Sequence, residues 1–389
     1  HVLDMGGTPD NVHVYQDISG AVSGETYSLT LDAGDVTGGG NSVEIYWGGE
    51  LIATIDPVEG GMESFQFDLI GGAGDGANRL EFKEIGPIDP DGVQLDNIQL
   101  IGPDGNAASQ DTSGDVIDGG AGDDTLDGND GNDDVYGGTG DDTFNVSAGE
   151  GIDTITGGED SDGLDVDTLG FTDATGPDGV DVTMSGDEAG SYAFPTDGGS
   201  GTFSEIEEFT LTDQDDDFDG VAATGGNTVD DGAGDDVITS GAGDDTIYAG
   251  TGNDTVFGGE GDDEMSAGIG TDTLYGGDGN DTFQFSDSDG TNTVVGGEGD
   301  DTGLGDILNT NAPSDVTITS AGDEAGTMTQ GTTTVEFSEI EFIQTDSGND
   351  TVDISNDTTG MTVLTYEGND TVYGGSGGDN LNGLGGMIR

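Results

Sequence analysis

The chain has 389 residues, enough for two or three domains, but only 30% of them are hydrophobic, and 84 acidic residues face three basic ones for a formal charge of −81. That charge excludes a nucleic-acid partner, whose phosphates it would repel, and the lack of cysteine excludes disulfides and thiolate metal sites. So few apolar residues under so large a charge ordinarily mean disorder, unless small cations cancel the charge; no apolar run nears the roughly 18 residues of a membrane span.

Residues 1–108 read as alternating strands, among them "TYSLTLDAG", "NSVEIYWGG", "LIATIDP", "SFQFDLIGG", "NRLEFKEI" and "VQLDNIQLIG". Gly, Pro and Asp clusters punctuate them at the spacing of an antiparallel β-sandwich. Alternation puts Val43, Ile45 and Trp47 on the inward face, with Tyr46 outward as the possible ligand-facing residue, suited to stacking on a sugar ring. Arg79 and Lys83 fall in this segment, and no Lys or Arg follows until Arg389, which places a domain boundary near residue 108.

Beyond that boundary a nine-residue unit takes over, as in "GGAGDDTLDGNDGNDDVYGGTGDDTFN" (119–145). A first array spans 109–165, with Asp115, Asp124, Asp133, Asp142, Asp153 and Asp162 at the sixth position of successive units. A β connector at 166–210 leads to a second array at 211–304, whose sixth positions hold Asp216, Asp236, Asp245, Asp254, Asp263, Asp272, Asp281 and Asp301. A second connector at 305–344 echoes the first ("SGDEAGS…FSEIEEF" against "SAGDEAGT…FSEIEF"), and a third array at 345–389 carries Asp350, Asp370 and Asp379. The region is therefore an internal duplication.

A three-residue strand with its middle side chain inward explains the single apolar residue at position eight, filled by Leu126, Val135, Phe144 and Leu164 in the first array and by Ile247, Val256 and Leu274 in the second. The other six residues must turn tightly, and glycines supply the positive φ this needs. Two units then make one turn of a right-handed parallel β-roll solenoid with a thin core. Stacked turns place Asp above Asp, which costs roughly 1 kcal/mol per pair even in water. A hard divalent cation reverses the sign: calcium takes six to eight oxygens from carboxylates and backbone carbonyls. The sixth-position Asp residues are thus the expected metal ligands and Ca²⁺, in many copies, the expected cofactor.

"GGAGDDTLD" fits the pattern GGxGxDxUx, and over roughly 110–389 the chain resembles RTX (haemolysin-type calcium-binding repeat) proteins. The resemblance implies calcium chelation by each sixth-position Asp, helped by backbone carbonyls, and export in one step through a type I channel. Asn227, Asn292 and Met361 replace the sixth Asp, and Gly303 occupies an apolar slot, so those units depart from the pattern. The N-terminal segment resembles the jelly-roll sandwiches of RTX adhesins and carbohydrate-binding modules. No family export signal is recognisable in "NLNGLGGMIR", which suits a fragment of a longer chain.

Catalytic constellations are not expected. His1 and His13 are the two histidines, "GGSGG" (374–378) has no histidine after it, and paired carboxylates recur with the repeat. The expected function is that of an extracellular, secreted or surface-associated, non-enzymatic protein folded by calcium, an adhesin or a filament-forming component. Its partners would be calcium ions, cell-surface glycans or further copies of itself. The alternative is the calcium-binding C-terminal region of a secreted hydrolase or polysaccharide-modifying enzyme.

Overall fold

The computed structural model describes residues 2–5, 13–17, 23–35, 42–56, 62–72, 79–85, 93–101, 116–129, 131–158, 165–172, 174–297, 305–311, 313–383 and 387–388. The described residues are all-β, with no helix, and hence none long and apolar enough to cross a membrane. The chain divides into two compact units, His1–Thr172 with Asp197–Ile206, and Asp173–Thr196 with Glu207–Arg389. Residue 108, where composition changes, lies outside the described residues.

Unit one opens with two antiparallel sheets. In one, Val2–Met5, Val93–Ile101, Thr26–Asp35 and Met62–Ile70 pair in that order. In the other the order is His13–Asp17, Arg79–Ile85, Ser42–Trp47 and Glu50–Ile55. Their shared core joins Tyr27, Leu29 and Leu31 to Val43, Ile45 and Phe82, the one-face burial that period-two alternation dictates. Trp47 belongs to this core, and its indole N–H donates to the Ile70 carbonyl at 2.8 Å. His13–Asp17 also pairs antiparallel with Val116–Ala121, so this sheet runs on into the first coil of the repeat region.

There the pairing turns parallel. Val116–Ala121, Asp134–Thr139, Ile152–Thr156 and Ser200–Ser204 stack in one sheet, and Thr125–Asp127, Thr143–Ser147 and Thr168–Thr172 in the other. The eighth-position residues line up across the register, Ile117 beside Val135 beside Ile155, and Leu126 beside Phe144 beside Leu169. Leu164, the residue expected in that last slot, lies outside the described residues.

Unit two repeats the plan over more coils. Asp215–Asp219, Val237–Ala242, Thr255–Glu260, Thr273–Asp278, Thr291–Val295 and Thr333–Ser338 form parallel neighbours. The facing sheet runs from Glu208–Thr210 through Thr228–Asp230, Thr246–Tyr248, Glu264–Ser266 and Thr282–Phe285, and on through Ile307–Thr310 and Phe342–Thr345 to Thr362–Thr365. Between them Ile238, Val256 and Leu274 face Ile247, Met265 and Phe283, all buried. Outside, Phe257 and Tyr275 stack in the open, ring centroids 4.8 Å apart and planes within 5°.

The connectors continue these sheets as strands. In each, an antiparallel hairpin carries the same bulge, Asp178–Gly186 with Ala189–Ala193 and Val316–Gly322 with Ala325–Gln330. Glu188 and Glu324 take left-handed backbone at matching turns (φ 53 and 52), as do Glu205 and Glu339 (φ 59 and 58). The duplication read from sequence is thus a duplication of backbone conformation.

Leu274→Ala, which empties a fully buried slot, is expected to cost about 2–5 kcal/mol in denaturant unfolding at saturating calcium. Tyr248→Ala, on the outer face next to the core residue Ile247, should stay within about 0.5 kcal/mol.

Candidate metal centres

The turns between strands set most of the described sixth-position Asp residues in the same frame. The backbone N–H of Asp245 donates to Oδ1 of Asp263 at 2.9 Å, and that of Asp263 to Oδ1 of Asp281 at 2.9 Å, each partner 18 residues on. On the opposite edge the chain of bonds runs from Asp216 to Asp236, Asp254 and Asp272. Unit one shows the same, Asp124 to Asp142 at 2.8 Å and Asp133 to Asp153 at 3.0 Å. Each carboxylate is therefore held by the coil before it, with its Oδ1 spent on that bond.

Oδ2 is left over. In Asp142, Asp236, Asp254, Asp263, Asp272 and Asp370 this oxygen is buried and has no hydrogen-bond donor. Burying a carboxylate oxygen without a partner is costly, and repeating it coil after coil is sustainable only with a counter-charge. The turn brings a second oxygen to Oδ2. Over Gly258 the Asp263 Oδ2 and the Gly276 carbonyl oxygen of the next coil converge on the place a Cβ would fill. Gly259 beside it has φ +123, and a Cβ there would run into the Gly241 carbonyl. Carboxylate and carbonyl oxygens meeting over a glycine are the donor set of a hard cation, so the residues fit calcium.

Asp350, Asp370 and Asp379 continue the pattern in the third array, Asp350 accepting from Val316 N–H at 2.9 Å and Asp370 from Asp350 N–H at 3.1 Å. Asp379 is the outlier, half-buried, with a long 3.4 Å bond from Met361 N–H. Asp115, Asp162 and Asp301 lie outside the described residues. The coil positions expected of the last two are held instead by Asp167 and Asp306, which accept from Asp142 and Asp281 across 25 residues at 2.8 Å. A strict nine-residue count fails there because both steps span 25 residues instead of 18. Leu308, not Gly303, correspondingly follows in the apolar slot. Asn292 keeps the ladder bond through Oδ1, 2.9 Å from Asp272 N, while lacking the charge. Tyr46 is half-buried on the outer face of its strand, and its hydroxyl donates to Glu44 at 2.5 Å.

Sequence reasoning missed a second ladder. At position five, Asp262 N–H donates back to Asp244 Oδ1 at 2.9 Å and Asn280 N–H to Asp262 Oδ1 at 2.8 Å. It runs opposite to the sixth-position ladder. The signal was present in "GDD" and "GND": position five is an Asp or Asn through most of the array, and Asn253 and Asn280 add a side-chain bond to the Asp below.

The model of the RTX calcium-binding nonapeptide repeat matches residues 111–144, 145–168, 221–256, 248–283 and 362–386. These are RTX repeats. RTX nonapeptide repeats bind Ca²⁺ at multiple sites, in keeping with the acidic clustering seen here. No curated protein matches the chain. Among solved structures, the extracellular lipase LipA from Serratia marcescens is 19% identical over 60% of this chain, with a TM-score of 0.22, and the chain spans 39% of the lipase's length. The catalytic domain of a GH87 alpha-1,3-glucanase in complex with nigerose is 12% identical, over 100% of this chain and 91% of its own, with a TM-score of 0.20. Superpositions this loose carry no activity over to the RTX region.

Burial pushes the metal-free ladder carboxyls up from 3.8, Asp142 and Asp254 to about 6, Asp272 to about 7 and Asp263 to about 8, against the lowering pull of the ladder bond. A raised folded-state pKa stabilises fully below the unfolded value and is lost as pH rises through the folded one. A calcium-bound carboxylate has the reverse sign, stabilising above its unfolded value and failing as pH falls through the depressed one. Far-UV circular dichroism in excess chelator should therefore show β-structure growing as pH drops from about 8 to about 4. With saturating calcium, stability should decline below about pH 4; equal slopes in the two series would contradict this.

Proposed function

We propose that this is a secreted protein whose RTX region stays open where calcium is scarce and folds on reaching extracellular calcium. The observation that carries the reading is the column of buried Oδ2 atoms, which no protein group neutralises in Asp142, Asp236, Asp254, Asp263 and Asp272. A cation that binds the coil and not the open chain shifts folding by mass action. Affinities of about 10⁻⁴–10⁻³ M, usual for extracellular calcium modules, would make export the trigger. The sixth-position Asp residues act as the ligands. Circular dichroism should report coil in chelator and β-structure on adding calcium, but not sodium at equal ionic strength. A protein that remains folded in chelator above about pH 8, where the ladder carboxyls are ionised, would refute the reading.

Asp263→Asn separates charge from hydrogen bonding, because Asn292 already makes the ladder bond with an amide oxygen. The variant should fold at saturating calcium yet need a higher calcium midpoint, by about threefold or more; an unchanged midpoint would remove Asp263 from the ligand set.

We read the chain as non-enzymatic, an adhesin or structural component of a cell surface. The two histidines both lie in the N-terminal segment and cysteine is absent, while the recurrent buried acids of the repeat region are tied into ladders. The sandwich is the docking head, with the outward Tyr46 ring against glycan. Glycan-array binding should drop for Tyr46→Ala, and equal binding by both proteins would count against that residue.

A further inference from the structure

Asp231 breaks the repeat. It stands at position one of its unit, where the next two units on the same edge carry the buried alanines Ala249 and Ala267. The backbone does not notice the exchange: Asp231 N–H donates to the Tyr248 carbonyl at 2.9 Å, as Ala249 N–H does to Ser266 at 3.0 Å. Yet the side chain is 0% exposed, and neither of its oxygens has a hydrogen-bond donor. It meets two sixth-position carboxylates, Asp216 and Asp236, with one oxygen from each of the three lying within 4.8 Å of the others. That span is about twice a calcium–oxygen distance, so a single ion can touch all three.

We propose that Asp216, Asp231 and Asp236 form a three-carboxylate site for a hard divalent cation, in which Asp231 adds a ligand that the other repeat coils lack, so that it binds more tightly than they do. A repeat coil offers carboxylates from position six alone; here position one adds a third. The surrounding donors go to Asp216 and to Asp236 Oδ1. Thr212 gives its N–H and hydroxyl to Asp216, at 2.8 and 2.9 Å, Val180 N–H goes to Asp216, and Asp216 N–H goes to Asp236 Oδ1 at 2.7 Å. What remains are the Asp236 Oδ2 and both Asp231 oxygens, all facing one another's charge. Burial and mutual repulsion raise the Asp231 and Asp236 pKa values, so a shared proton is the competing occupant. The geometry favours the ion: three carboxylates around one centre exceed what one proton can bridge.

The inference rests on the calcium reading only in its choice of ion. The test uses the full chain, folded in calcium and equilibrated against a descending series of free calcium concentrations, with bound calcium counted by mass spectrometry. Asp231→Ala, which copies the neighbouring repeats, and Asp231→Asn, which keeps shape and removes charge, should both fold at saturating calcium. Each should retain one ion fewer than wild type in the low-calcium range, having lost the ion that leaves last. If either variant keeps the wild-type number throughout, the site is wrong and the proton explanation stands. If the wild type also binds no calcium, the calcium reading falls with it.

Discussion

A file of buried carboxylates, one above another at each coil, is the constraint on which the rest of the molecule depends. Asp245 leads to Asp263 and Asp281, and Asp236 to Asp254 and Asp272, every link a backbone N–H given to the next acid in line. The bond fixes the carboxylate's direction but not its charge, and desolvation makes that charge expensive. Gly258 follows from it, because only a bare Cα there leaves space where the Asp263 Oδ2 and a carbonyl converge. The thin core follows too, since a turn devoted to holding oxygens leaves one or two inward apolar residues per strand. Charge and core are therefore not competing designs. The hydrophobic ladder sets the spacing, and the ions permit it.

The two connectors show how the coil is interrupted without being lost. Each sends out a bulged hairpin and returns a strand to the parallel stack, Ser200–Ser204 against Ile152–Thr156 and Thr333–Ser338 against Thr291–Val295. The left-handed glutamates at matching positions mark conformations too specific to arise twice by chance. The excursions lengthen the chain while the register of the core is kept, Ile155 meeting Phe203 and Val294 meeting Phe337.

Much of this was legible in the sequence because the period of nine carries three messages at once, the acid, the apolar residue and the glycines. The parallel strands, the inward residues from Leu126 to Phe283 and the stacking of sixth-position acids could be read from it, as could the inward Trp47 of the sandwich. Phase was lost where extra residues intervened. Counting by nine pointed to Asp162 and Asp301, whereas hydrogen bonding picks out Asp167 and Asp306. Composition gives no way to choose among several nearby acids; only register across the sheet does. The position-five ladder and Asp231 were hidden for the opposite reason, being acids among so many acids that their burial and their partners had to be seen.

The pairing interval has a consequence for how such a chain changes length. Partners along an edge are 18 residues apart through the regular coils, while adjacent units alternate between the two sheets. A gene that gains or drops one double unit rejoins like with like, and every later strand stays on its own side. A single unit would send each of them across to the other side, carrying the exposed Phe257–Tyr275 pair to the opposite exterior and breaking its match to what precedes it. Length changes that keep the register therefore come in steps of two units, a whole coil at a time.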